Sequence, residues 1–465
     1  MGNEIDRRKF VIGLSAGLGI ASFVASSKRA ASLPVADPVG TKLLPNFVFL
    51  ISDDQSYSSA GCNGNSAVHT PNIDRLAREG LRFDRAFAPS PSCSPSRSAI
   101  LTGQSPHETG TARFRSPMPV AQKTILEYLK GARYYTGAFK KVHQGAEFWQ
   151  RWDFKGLHKP VHTFLDARPK DRPFYLHIGY HDPHRPYLPG ERYPEKNPRV
   201  AIGVPSFLPD TPAVRKDLAH YYEAIERLDM KVGQILNLLE KYGLAENTLV
   251  IFTSDQGMSF PGAKGTLYEP GLHVPLIARW PGKIKPGGVS SDLVSLVDLA
   301  PTWMQAAGLS VPAAMDGRSF LPLLLGRNFE PRQAVYAERN FHTHLDLIRS
   351  VRTARYKLIQ NYLPEMPYLP LSDIARSPSW RSIENLMHQG KLSAPLLQRY
   401  FKKPRPEEEF YDLQNDLGEM KNLANDPKYK SELLHLQQLL SRWMIATHDF
   451  LPPPILPPDI DQLME

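Results

Sequence analysis

Phe47-Val48-Phe49-Leu50-Ile51 runs without a polar break into Ser52-Asp53-Asp54. Two later stretches repeat the pattern. Phe174-Tyr175-Leu176-His177-Ile178 leads into Gly179-Tyr180-His181-Asp182, and Leu249-Val250-Ile251-Phe252 leads into Thr253-Ser254-Asp255-Gln256-Gly257. Near-continuous apolar runs of this length suit strands buried on both faces, as in a parallel sheet. Ligands of open α/β sheets gather beyond the carboxyl ends of the strands. The three polar clusters are therefore predicted to converge on one edge of one sheet.

Helical periodicity fills the intervals. Thr70-Pro71 opens a helix with Ile73, Leu76 and Ala77 on one face, ending at Gly80. Thr211-Pro212 opens a longer one. Val214, Leu218, Tyr221, Ile225, Leu228, Val232, Ile235 and Leu239 recur there at helical spacing until Gly243, and the stripe reads as core. Alternating strands and helices predict an α/β domain over residues 40–330. Beyond it, 334–337, 348–352 and 356–360 read as an antiparallel meander, and 429–447 as a final helix. Residues 331–465 are thus expected to form a smaller α+β subdomain with a short antiparallel sheet.

The chain has 465 residues, 42% hydrophobic and 22% charged. This is the balance of a soluble globular protein with a substantial core, and it excludes a disordered chain, a collagen and a coiled coil. The net charge of +9 is nowhere gathered into a run of five basic residues. That argues against a nucleic-acid binder and is compatible with an anionic substrate. The 43 prolines suit a loop-rich enzyme. Two cysteines, Cys62 and Cys93, allow at most one disulfide, and Cys62 reads as a free thiol without a role. At the N-terminus, Asp6-Arg7-Arg8-Lys9-Phe10 precedes 17 uncharged residues, 11–27, with small residues at Ala30-Ala31-Ser32. Residues 1–32 read as a signal peptide of twin-arginine type, which implies a periplasmic or secreted bacterial protein with no stable membrane span.

Two acidic pairs and one cysteine carry the chemistry. Asp53-Asp54 and Asp255-Gln256 each follow a predicted strand. Three carboxylates and an amide oxygen at one sheet edge make a hard-oxygen site of the kind calcium takes. Ser92-Cys93-Ser94-Pro95-Ser96-Arg97 leads into a short helix expected over 96–101 and closed by Gly103. Cys93 is then expected just ahead of a helix N-terminus, where anionic groups are stabilised. The spacing alone does not say what Cys93 becomes.

Cys93-x-Pro95-x-Arg97, followed by Leu101-Thr102-Gly103 and Pro106-His107-x-x-Gly110, resembles the signature of type I sulfatases. Asp53-Asp54, Thr70-Pro71-Asn72-Ile73-Asp74 and Asp255-x-Gly257 extend the resemblance. Further stretches are similar to one branch, the N-sulfoglucosamine sulfohydrolases or sulfamidases. They are His181-Asp182-Pro183-His184-Arg185, Pro209-x-Thr211-Pro212-Ala213-x-Arg215-x-Asp217-Leu218, Phe260-Pro261 with Leu267-Tyr268-x-Pro270-Gly271, and, near the end, Asn422-Leu423-Ala424-x-Asp426-Pro427 and Thr447-His448-Asp449.

The resemblance implies an alkaline-phosphatase-like α/β sandwich with a large, mixed, mostly parallel sheet. It implies that a formylglycine-generating enzyme converts Cys93 to formylglycine, whose hydrated aldehyde is the nucleophile. Asp53, Asp54, Asp255 and Gln256, with the group derived from Cys93, would hold calcium; the family usually has Asn at the place of Gln256. Arg97 would orient the hydrate. Lys141 and Lys264 would neutralise the sulfate, His181 would protonate the leaving group, and His143 would act as base. His184 and Arg185 are expected to contact the sugar or its carboxylate-bearing neighbour, or else to belong to a proline-braced loop. His342 and His344 are read as structural.

The expected activity is hydrolysis of sulfate from a sulfated glycan, with the N-sulfate of glucosamine in heparin or heparan sulfate placed first. An O-sulfated polysaccharide, a phosphoester or phosphonate, and inactive glycan binding are the alternatives. A homodimer is left open.

Overall fold

The computed structural model describes residues 44–187 and 202–456. The export signal read over 1–32 lies outside these residues. Eight strands form one sheet in the order Phe154–Lys155, Tyr135–Lys140, Phe174–Gly179, Asn46–Ser52, Thr248–Ser254, Leu276–Arg279, Leu81–Phe83 and Gly288–Ser290. Only Leu276–Arg279 runs antiparallel to its neighbours. The three apolar runs are thus adjacent parallel strands, with Asn46–Ser52 between the other two.

Side-chain alternation explains why these strands read as unbroken apolar runs. Phe47, Phe49 and Ile51 pack on one face with Ile100, Leu101, Leu299 and Trp303. Val48 and Leu50 pack on the other with Ile73, Leu76, Leu228 and Val232. Both faces are covered by helices, so both sets of side chains must be apolar. The helices Pro71–Arg78 and Pro212–Lys241 begin where their Thr-Pro pairs place them, and the Thr211 hydroxyl accepts the Val214 amide at 3.3 Å.

A second sheet follows, with antiparallel order Val335–Phe341, Leu345–Arg352, Tyr356–Asn361 and Glu408–Asp412. The fourth strand, short and acidic at its ends, was not legible. One face packs on Phe87, Leu267, Leu272 and Leu293 from segments around the large sheet. The other is covered by the helix Lys430–Ala446 through Leu436, Leu439, Leu440 and Met444. Each such buried side chain stabilises the fold by about 1.5–3 kcal/mol. This packing brings the loops of the second sheet to the edge where the polar clusters meet. No helix among the described residues is long and apolar enough to cross a membrane.

Candidate active site

Four neighbouring parallel strands end at one place. Tyr135–Lys140 delivers Lys141, Phe174–Gly179 delivers His181, Asn46–Ser52 delivers Asp53 and Asp54, and Thr248–Ser254 delivers Asp255 and Gln256. The strand ends are tied together, with the Lys141 amide donating to the Gly179 carbonyl at 2.8 Å and the Asp255 amide to the Ser52 carbonyl at 3.3 Å. Gly179 is required by this crowding. A Cβ there would lie 1.8 Å from the Lys141 carbonyl oxygen.

The helix Cys93–Thr102, wholly buried, points its N-terminus at the same edge. It begins three residues earlier than expected and contains Cys93 as its first residue. Ser92 is extended and forms the cap position, and Pro95 is tolerated in the first turn, where no helical amide is needed. Arg97, one turn on, is 1% exposed. Its guanidinium donates to Asp255 Oδ2 at 2.7 Å, to the Lys141 carbonyl at 2.9 Å and to the Ser52 carbonyl at 3.2 Å, joining three strand ends.

Oxygens of Asp53, Asp54 and Asp255 all lie within 4.8 Å of one another, fully buried. Lys141 pairs with Asp53, and Lys264 with Asp54 at 2.8 Å. Burial raises the Asp53 carboxyl, but Lys141 and then Arg97 outweigh it and hold Asp53 well below the usual carboxylate range. Burial pushes Asp255 up, against the pull of Arg97, and the carboxylates of Asp53 and Asp54 add to the rise. Asp54 adopts a left-handed φ of 68° and His143 one of 78°. Such strain, of about 1–3 kcal/mol per residue, persists only where the surroundings over-determine it. The Tyr221 hydroxyl supplies part of that at Asp54, donating to its carbonyl at 3.1 Å and accepting the Ser56 amide at 3.2 Å.

The Cys93 thiol sits within this cluster. It donates to Asp53 Oδ1 at 3.5 Å and accepts from Gln256 Nε2 at 3.0 Å. Burial pushes its pKa up to about 12. An unmodified thiol here is a poor nucleophile near neutral pH. Gln256 Nε2 also donates to Asp54 Oδ1 at 2.5 Å, while its Oε1 is buried without a partner. Turning the amide by 180° would aim that oxygen at Asp54 and Cys93, an arrangement a cation would stabilise. Three carboxylates plus one orphaned amide oxygen fit a hard divalent ion.

The histidines divide. Burial, then Lys141 and Arg97, push the His143 pKa down to about 3, and its Nδ1 is buried without a partner. His181 is exposed at the mouth, with its pKa lowered by burial and by Lys141. His184 Nε2 stands 3.8 Å from Asp54 Oδ2. Arg185 does not join the cluster. Its guanidinium donates to both oxygens of Asp217, at 2.8 and 2.7 Å, and to the Ser259 carbonyl at 2.7 Å, between the rings of Tyr187 and Phe260. That geometry braces the loop, while His184 faces Asp54.

Around the second sheet lies Asp373, which sequence reasoning missed, together with His342 and His344, read as structural. Asp373, on the short helix Ser372–Ala375, accepts from Lys264 at 3.1 Å. His342 stacks on Phe114 at 3.9 Å, and Phe114 meets the edge of His143 at 5.6 Å. His344 pairs with Arg339, whose guanidinium also holds the carbonyl of Gly265 next to Lys264. No spacing in the sequence links these residues to the acidic pairs; only the docking of the second sheet does. Cys62 is a free thiol.

Comparison with known proteins shows the family and the fold. The sulfatase family model matches residues 45–157 and 155–309. The chain belongs to the sulfatase family. The C-terminal model of N-sulphoglucosamine sulphohydrolase matches residues 263–396 of this sulfatase. Human N-sulphoglucosamine sulphohydrolase is 33% identical, over 87% of this chain and 90% of its own length. An ulvan-active sulfatase of Formosa agariphila is 31% identical, over 87% and 75%. A protein solved in complex with its substrate D-glucosamine-2-N,6-O-disulfate superposes with a TM-score of 0.69 at 24% identity, over 89% of this chain and all of that one. The chain is therefore a hydrolase with the alkaline-phosphatase-like sandwich read from its sequence.

Proposed function

We propose that this sulfatase removes the N-linked sulfate of glucosamine residues in heparin-like glycans, with Cys93 matured to formylglycine and calcium held by Asp53, Asp54, Asp255 and Gln256. The observation that carries the reading of the centre is the buried Cys93 thiol inside three carboxylates and three fixed cations. The choice of bond is supported by the match over residues 263–396 and by the human relative.

Calcium, held by those oxygens, would draw charge from the sulfate. Formylglycine would supply two geminal hydroxyls, one to attack sulfur and the other to expel sulfate afterwards. The chain's own residues do the rest. Arg97, immobilised by three strand ends, would stabilise the charge that develops on the reacting oxygens. Lys141 and Lys264 offset the charge spread over the sulfate oxygens in the transition state. When the S–N bond breaks, its electron pair goes to nitrogen, which takes a proton from His181. The negative sulfate beside His181 raises its pKa, opposing the lowering by burial and Lys141. His143 is the candidate proton acceptor when sulfate is expelled, with the anionic sulfate beside it opposing the lowering of its pKa by burial and Lys141.

An O-sulfated polysaccharide is the second reading, favoured by the ulvan-active relative. The deciding experiment is sulfate release by protein co-produced with a formylglycine-generating enzyme and supplied with calcium. N-sulfoglucosamine and 6-O-sulfated N-acetylglucosamine are compared side by side. Release from the first supports the proposal; release from the second alone transfers the same centre to an ester bond. Export by residues 1–32 belongs to this proposal, with maturation preceding export of the folded chain. An unconverted Cys93 in the exported protein would contradict that order.

A further inference from the structure

Most of the cluster is closed to solvent, and the few groups left partly open define what a substrate meets. Side-chain exposure is 11% for Lys141, 31% for His184 and 21% for Asp373. His181 and Arg115 are exposed beside them. Of these five groups, Asp373 is the one that carries negative charge. Burial would raise its carboxyl, but Lys264 holds it well below the usual carboxylate range. A carboxylate at the mouth of a site for sulfate repels the ligand, unless the ligand also brings a donor.

The two oxygens of Asp373 differ. Oδ2 is engaged, accepting from Ser259 Oγ at 2.9 Å and from Lys264 Nζ at 3.1 Å. Among the described residues Oδ1 accepts only from the backbone amide of Ile374, at 3.1 Å, and has lone-pair capacity to spare. The carboxylate lies within 4.8 Å of ligand atoms of both Asp54 and His184, beside the reacting centre. Lys264 already has Asp54 as a counter-ion, so anchoring Lys264 does not by itself require Asp373.

A sulfamate and a sulfate ester differ at one atom. The sulfamate nitrogen carries a hydrogen next to sulfur; the ester oxygen carries none. After S–N cleavage the nitrogen takes a proton and becomes an amine, cationic below its pKa. We propose that Asp373 is a specificity-determining residue that accepts a hydrogen bond from the sulfamate N–H and then holds the amine of the product. This rests on the N-sulfate reading above. A site that offers an acceptor to an N–H favours the ligand that carries one over the analogue that lacks it.

Two measurements on the full-length protein test it. In calorimetry at mildly acidic pH, glucosamine binds more tightly than N-acetylglucosamine by about tenfold, the effect of one charge-assisted hydrogen bond, and Asp373→Asn removes the difference. In the matured enzyme, Asp373→Asn lowers kcat/KM for N-sulfoglucosamine by at least about tenfold more than for 6-O-sulfated N-acetylglucosamine. Equal loss on both substrates would overturn the inference and leave Asp373 as a positioning residue for Lys264. Equal binding of the two sugars by the unaltered protein would also overturn it, and needs no variant to fold. Should the unaltered enzyme cleave only the ester, the N-sulfate reading fails, while the binding contrast still judges Asp373 separately.

Discussion

His107 belongs to the Pro106-His107 motif, yet the structure spends it on a clasp between the two sheets. Its Nδ1 meets Glu338 Oε2 at 2.6 Å, on the first strand of the second sheet, and its Nε2 meets the Thr447 carbonyl at 2.9 Å, just after the last helix. Burial lowers its pKa, but Glu338 outweighs this and raises it to about 9. A histidine that titrates near 9 when folded and near 6.5 when unfolded stabilises the folded state by about 3 kcal/mol. Below pH about 6.5 both states are protonated and the stabilisation is fully present. It declines as the pH rises and is gone above about 9. His107→Gln should therefore cost about 3 kcal/mol near pH 6, and markedly less near pH 10, in urea unfolding. Loss of the clasp should also lower activity, because the second sheet carries Asp373 and His342. An equal difference between variant and parent at both pH values would refute the reasoning.

Other perturbations test neighbouring parts. Gly179→Ala should reduce folded yield and abolish sulfate release, since the new methyl meets the Lys141 carbonyl at 1.8 Å; normal yield and activity would show that the strand ends can part. Arg185→Met and Asp217→Ala should each destabilise by about 3–5 kcal/mol in urea, with a double variant costing little more than either, because one buried ion pair is being removed. A KM defect at unchanged stability in Arg185→Met would instead mean that Arg185 reads the sugar. Calcium should raise the unfolding temperature, with about 2.7 kcal/mol of stabilisation at a hundred times its Kd, and Gln256→Leu should weaken that response. An unfolding temperature indifferent to calcium and chelator would contradict the oxygen site.

The parts of the fold that were legible are those where one residue type answers one physical demand. Strands covered on both faces must be apolar throughout, so the runs ending at Ser52, Gly179 and Ser254 announced themselves, and the acids after them fell on one edge. The Thr-Pro pairs at 70 and 211 marked helix starts because proline needs no amide there. What escaped depends on contacts distant in the chain. Asp373 follows an unremarkable Leu371-Ser372 and reaches Lys264 across more than a hundred residues. Tyr221 sits in the apolar stripe of its helix, as read, yet its hydroxyl braces Asp54. The helix expected from 96 begins three residues earlier, at Cys93, because its first turn admits Pro95.

The central claim is that the buried Cys93 centre hydrolyses sulfate only once the thiol has been converted. It is tested most directly by sulfate release from N-sulfoglucosamine, measured on preparations whose Cys93 conversion is read by peptide mass, with Cys93→Ala alongside. The account predicts a rate proportional to the converted fraction and none from unconverted chain or Cys93→Ala. Comparable release from unconverted protein or from Cys93→Ala would contradict it.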